Sequence, residues 1–279
     1  MPTTERIIDI SDAPASLSVR YDQLNIGREA GDVIVPLSDL AVLVVSHPQV
    51  SYTHAVIAGI CEFGGAFVLC NEKRLPTGML LPIEGHFVQA ERFAAQAQVS
   101  LPVKKQLWKQ VVRAKVYEQG KLLKAIHGKD HGLFDLCLKV RSGDSGFVES
   151  MAARRYWPAL FGKDFRRNPA FEDQNRLLNY GYAVLRAVVA RALCAAGLHP
   201  SLGIHHHNRY DAFCLADDIM EPYRPIVDGI VVQLLDIYGP DAPLDKETKA
   251  SIIKALTERV YLVDGEDWTL FDQMARTAS

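Results

Sequence analysis

Apolar and polar positions change rhythm part-way along the chain. Up to about residue 82 the apolar residues alternate, as at 17–21, or form short continuous runs, as at 33–35, 41–45 and 66–69, with turn residues at 27–32. Period-two alternation and brief apolar runs bounded by turns predict strands. Residues 53–63 place Ala55, Val56, Ala58, Gly59 and Ile60 at near-helical spacing before Gly64 and Gly65 break the pattern, which predicts one helix covering part of a small sheet. Pro76, Pro82 and Pro102 then punctuate the chain. Beyond them, residues 103–119, 145–160, 175–196, 211–238 and 245–263 carry apolar positions three and four apart, with Gly or Pro between the segments. Five helices are predicted there. The expected fold is α+β: a small N-terminal β-rich domain over 1–86, followed by a larger all-helical domain over 87–279.

A chain of 279 residues with 48% hydrophobic and 23% charged residues buries a real core and is neither disordered nor of low complexity. No uninterrupted apolar run approaches the ~18 residues of a membrane span, and the N-terminus lacks the basic start and apolar centre of a secretory signal. A soluble, cytoplasmic protein without a membrane partner is expected. Five cysteines with no Cys-x-x-Cys pair fit small thiols in a reducing compartment better than a disulfide or zinc framework.

Charge adds to this picture through its distribution. The whole chain has a formal net charge of −2, yet residues 103–167 hold fifteen Lys and Arg against six Asp and Glu. A polyanion would meet this tract, although helices also carry such residues merely as a solvated face. Its candidate DNA contacts are Lys104, Lys105, Lys109, Arg113, Arg154, Arg155, Arg166 and Arg167.

Three places put metal-ligand residue types beside turn-forming sequence. Glu149 falls in the first turns of a predicted helix that Asp144 or Ser145 can cap, where an acid also suits the helix dipole. His205, His206 and His207 follow a Gly-Pro-rich turn, and consecutive imidazoles in an extended segment cannot all point one way, so one of them could face a site. Asp217, Asp218 and Glu221 share one face if their segment is helical, with Pro222 and Pro225 positioned to kink or end that helix. Each place has an ordinary structural explanation on its own. One imidazole with two carboxylates would suit Mn²⁺ or Mg²⁺, the nitrogen tilting the choice toward Mn²⁺.

The segments 146–156, 179–182, 202–206 and 216–225, in that order and at those intervals, resemble the family of CRISPR-associated protein one, the integrase subunit of CRISPR adaptation. Leu75 and Pro76 together with 79–82 are similar to it as well, so the resemblance spans nearly the whole chain. The wording from Asp218 to Pro225 looks most like the type II branch. The resemblance implies a β domain used in homodimerisation and a helical catalytic domain. It implies Glu149, His205 and Glu221 as catalytic metal ligands for Mn²⁺ or Mg²⁺, and Asp218 as a supporting acid behind them. It also implies transesterification by the 3′-hydroxyl of a captured double-stranded DNA fragment at the edge of a CRISPR repeat, or hydrolysis when water attacks. The expected partners are a small ferredoxin-like companion completing a heterohexamer, and the RNA-guided effector nuclease as a further candidate. The competing expectations are a stand-alone metal-dependent nuclease for branched DNA and a non-catalytic DNA-binding scaffold.

Overall fold

The computed structural model describes residues 5–72, 76–258, 261–263 and 266–278, so Leu75 and residues 1–4 lie outside the described residues. The chain opens with β1 (Arg6–Ile10), β2 (Ala15–Arg20), β3 (Gln23–Gly27), β4 (Val33–Pro36), β5 (Leu40–Val45) and β6 (Val50–Tyr52). It continues through α1 (His54–Glu62), β7 (Ala66–Cys70) and β8 (Pro76–Leu80). Two four-stranded sheets result, in the orders β1-β5-β7-β8 and β4-β3-β2-β6. β5 is a continuous apolar run because it lies inside its sheet, parallel to β1 on one side and β7 on the other, with all six residues buried. β2 and β3 join through Tyr21 and Asp22, both at positive φ, the backbone that a two-residue hairpin demands. Leu17, Leu24, Leu43, Val56, Ile60 and Phe67 draw both sheets and α1 into one core.

Helices follow: α2 (Gln89–Ala97), α3 (Leu101–His127), α4 (Leu133–Cys137), α5 (Val148–Phe161), α6 (Asn175–Ala195), α7 (Cys214–Met220), α8 (Arg224–Tyr238) and α9 (Lys246–Thr257). The chain closes with β9 (Tyr261–Val263), β10 (Glu266–Trp268) and α10 (Leu270–Ala278). β9 and β10 pair antiparallel, so the C-terminal part is mostly rather than entirely helical, and the helix expected over 245–263 ends at Thr257. Tyr, Leu and Val, which favour strands, take over there.

The described contacts divide the chain into two compact units. One comprises Met1–Ala90, Asn179–Leu198 and Leu244–Ser279; the other comprises Glu91–Leu178 and His199–Pro243. A single cut at 86/87 therefore does not describe them. The returning segments are tied into the first unit by contacts that local periodicity cannot reveal. Tyr180 donates to Asp9, Arg191 pairs with Glu5, and Lys249 reaches Ser46 across 203 residues of sequence.

In the second unit, α3 presents Trp108, Val112, Val116 and Leu123 to Leu133 and Leu136 of α4 and to Val148, Ala152 and Tyr156 of α5. On α3 this is a stripe at four- and seven-residue intervals, one face of a helix. By length and a mean hydropathy of 1.2, α6 is apolar enough to cross a membrane, a candidate that uninterrupted runs did not disclose; 67% of its apolar window is buried.

Candidate metal and DNA site

All the residues discussed here belong to the second compact unit. α3 supplies Trp108 and Lys115, seven residues and so about two turns apart, which puts them on one face. α5 supplies Glu149 in its first turn. Asp144, at positive φ, accepts from the backbone N–H groups of Val148 at 2.9 Å and Glu149 at 3.0 Å, so of the two predicted caps it is Asp144 that fixes this helix start. Glu221 opens a 3₁₀ turn, Glu221–Tyr223, between α7 and α8, with Pro222 and Pro225 at the starts of the turn and of α8.

Two of the predicted ligands meet. Lys115 Nζ lies 2.6 Å from Glu149 Oε1 and 2.6 Å from Glu221 Oε2, and Arg224 Nε lies 3.0 Å from Glu221 Oε1. Burial opposes the carboxylate of Glu221, but Lys115 and Arg224 outweigh it and hold its pKa below the ordinary value. Burial likewise opposes the Lys115 ammonium, and Glu221 and Glu149 reverse that and keep it charged. The three acids that share a face around 217–221 are turned inward: Asp217, Asp218 and Glu221 are all buried.

The third predicted ligand is held by packing. The His205 ring stacks flat on Trp108, with centroids 4.2 Å apart and 4° between the planes. Burial first, and the neighbouring His206 second, lower its pKa, so the ring is neutral at neutral pH and keeps a lone pair. Asp218 fixes the loop that carries it. Its Oδ2 accepts from the backbone N–H groups of Ile204 at 2.6 Å and His205 at 2.9 Å. Its Oδ1 accepts from the His206 N–H at 3.2 Å and lies 2.6 Å from His206 Nδ1. The hydrogen bond to Asp218 raises the pKa of His206. Lys104 adds a bond from Nζ to Gly203 O at 3.1 Å.

The donor set suits a hard or borderline divalent ion: two carboxylates already converge on one cationic atom, and Glu221 Oε2 is buried without a hydrogen bond of good geometry. Among the described residues, no three His, Cys, Asp or Glu side chains stand together at ligand positions. Glu149 and Glu221 are thus joined through Lys115. His205 meets them electrostatically, since the charge of Glu149 acts on its ring.

Of the basic candidates, Lys105, Arg113, Arg154, Arg155 and Arg166 are exposed, while Lys104, Lys109 and Arg167 are half-buried. Arg167 donates to Asn175 Oδ1 at 2.8 Å, and Arg166 to the carbonyls of Lys163 and Phe165.

Residues 147–238 match the family model described as CRISPR-associated protein Cas1. Over 249 residues the chain is 38% identical to the CRISPR-associated endonuclease Cas1 of Neisseria meningitidis, covering 88% of this chain and 81% of the relative. The chain belongs to the Cas1 family. Its fold is also that of a casposase bound to integration product, at TM-score 0.80 and 18% identity, covering 97% of this chain and 88% of that one. A Cas6-RT-Cas1–Cas2 complex contains the same fold at TM-score 0.74 and 18% identity; the match covers all of this chain and 34% of that one.

The Cas1 match spans Glu149, His205, Asp218 and Glu221. Sequence reasoning missed Lys115, Trp108 and Arg224 as members of this site. Lys115 was counted only within the basic tract. The available signal was its seven-residue spacing from Trp108 on an amphipathic helix, which places a cation and an aromatic ring on the same buried face.

Proposed function

We propose that this Cas1 protein joins captured DNA fragments to a CRISPR repeat by divalent-metal-dependent strand transfer, and cuts DNA when water is the nucleophile. The observation that carries this reading is the convergence of Glu149 and Glu221 on a single cationic point, in the same unit as a neutral imidazole held by Trp108 and Asp218. Glu149, Glu221 and His205 would hold Mn²⁺ or Mg²⁺, which when bound supplies charge stabilisation at a phosphoryl oxygen and at the attacking and leaving oxygens.

The chain's own residues prepare the site. Asp144 secures the helix start that aims Glu149, the 3₁₀ turn places Glu221, and Asp218 sets the loop so that His205 lies against Trp108. In strand transfer the 3′-oxygen forms a bond to phosphorus as the bond to the displaced 3′-oxygen breaks, so phosphodiesters are exchanged without a net energy source. Exposed Lys105, Arg113, Arg154, Arg155 and Arg166 would neutralise phosphates, with Lys104, Lys109 and Arg167 at their margin. Two dimers of the chain, bridged by a dimer of a small Cas2-like companion into a heterohexamer, would set the distance between two joining events.

The test is a labelled branched DNA resembling a half-integrated fragment, given to the purified protein with Mn²⁺ or with EDTA. Metal-dependent strand transfer, lost by more than about a thousandfold in Glu149→Ala with DNA binding kept, is the expected result. Cutting without joining would favour a stand-alone nuclease. Tight binding indifferent to metal and to Glu149 would favour a scaffold. The same binding assay measures the basic face, because each phosphate contact contributes about −0.9 to the slope of log K against log salt.

A further inference from the structure

The site carries a cation of its own. Lys115 extends from α3 with its side chain only 15% exposed, and its Nζ lies 2.6 Å from one oxygen of Glu149 and 2.6 Å from one oxygen of Glu221. These carboxylates come from distant parts of the chain, the start of α5 and the turn after α7. Two like charges brought this close repel each other, and a buried carboxylate needs a positive partner. Arg224 lies against the other oxygen of Glu221, at 3.0 Å, so among the described ion pairs Lys115 is the cation shared by both acids. A divalent ion held by Glu149 and Glu221 would need the space and the negative charge that the ammonium now takes.

We propose that Lys115 is the internal counterion of this site: its ammonium holds Glu149 and Glu221 together before a divalent ion arrives, and the ion binds by displacing it. The proposal rests on the metal-dependent reading above. It makes Lys115 a positioning residue, and it is an exchange of ions in which no covalent bond changes. Competition with the ammonium weakens metal affinity, while the metal-free protein is spared two facing, unpaired carboxylates. The displaced ammonium stays tethered by its own side chain and returns when the metal leaves.

Methionine at this position keeps much of the side-chain length and removes the charge. Mn²⁺ binding followed by electron paramagnetic resonance, together with Tm in EDTA and in Mn²⁺, therefore separates the possibilities without any assay of activity. Lys115→Met is expected to bind Mn²⁺ at least tenfold more tightly than the native chain. It should melt lower in EDTA and gain more Tm on Mn²⁺ addition than the native chain does. Unchanged or weaker Mn²⁺ binding in Lys115→Met would overturn the proposal.

A second measurement uses the native protein and does not depend on the variant folding: amine acetylation mapped by mass spectrometry, with the buried Lys249 as internal reference. Labelling of Lys115 should rise at least threefold from EDTA to Mn²⁺ while Lys249 stays constant, and no rise at Lys115 would overturn the displacement. If the native chain itself binds no Mn²⁺, the metal-dependent reading falls and takes the counterion with it. If the native chain binds Mn²⁺ but Lys115→Met binds it no better, only the counterion falls.

Discussion

Two buried lysines, one in each compact unit, have opposite surroundings. Lys249 in α9 is 1% exposed; its Nζ lies 3.8 Å from Asp9 Oδ2 and 3.4 Å from Ser46 Oγ, and sits over the Tyr180 ring at 5.1 Å. Tyr180 donates to the same Asp9 oxygen at 2.7 Å. Among the described ion pairs Asp9 is the acid that meets Lys249, and polar and aromatic neighbours lie around it. Lys115 faces two carboxylates, both at 2.6 Å, and a second cation, Arg224, is drawn to one of them. The first cluster fastens a returning helix to a strand. The second is built from two acids that one cation holds together, in the unit that also carries the His205 ring. A buried ion pair by itself is weak grounds for function. What separates the two is convergence: at Lys115 separate elements deliver two like charges to one point, an arrangement that binding sites use.

The comparison breaks most readily at Lys249. Lys249→Met leaves Asp9 buried without its cation and is expected to cost about 3–5 kcal/mol of folding stability, measured by urea denaturation. Strand transfer per folded molecule should not change. A stable variant, or one that folds but no longer joins DNA, would show that the first cluster is not merely a fastening.

Asp218→Asn tests the shell around the second cluster. An amide offers one acceptor oxygen where the carboxylate serves the Ile204, His205 and His206 N–H groups, so the loss should be about 1–3 kcal/mol. Metal affinity should fall by roughly ten- to a hundredfold as His205 loses its support. The His206 pKa, read by NMR, should drop toward its ordinary value once the partner that raises it is gone. Unchanged metal affinity would separate the loop from the site.

The smallest effect is a report from inside the first cluster. Burial, followed by the charge of Asp9, pushes the Cys70 thiol up to about 11, with Lys249 pulling the other way, while burial alone brings Cys194 to about 11. At pH 8, alkylation of both should be slower than that of a free cysteine by on the order of a hundredfold. Adding Lys249→Met should slow Cys70 further and leave Cys194 as it was. Equal slowing at both would mean that the charge of Lys249 is not felt at Cys70.

Much of the architecture could be read locally. The run at β5, the alternation at β2 and the helical spacing of α3, α5 and α6 fall where their patterns put them, because a strand or helix advertises which of its faces is buried. Short edge elements such as β6 and β8, with exposed or half-buried residues, carry no such pattern. At 217–221 periodicity reports which acids share a side and not what that side meets. Their burial required α3 and the turn after α7 to be in place.

The sequence by itself determined the α+β class and the tract of Lys and Arg, and through family resemblance it named Glu149, His205 and Glu221 as candidate metal ligands. These are matters of local spacing and of residue types kept in a fixed order. Only the tertiary structure decided that residues 179–198 and 244–279 return to the N-terminal unit, that Asp218 holds the histidine loop, and that Lys115 leaves the basic tract to stand between two acids. The physical reason is that a charge takes its partner from whatever folding brings within about 4 Å, a distance that no interval along the chain encodes.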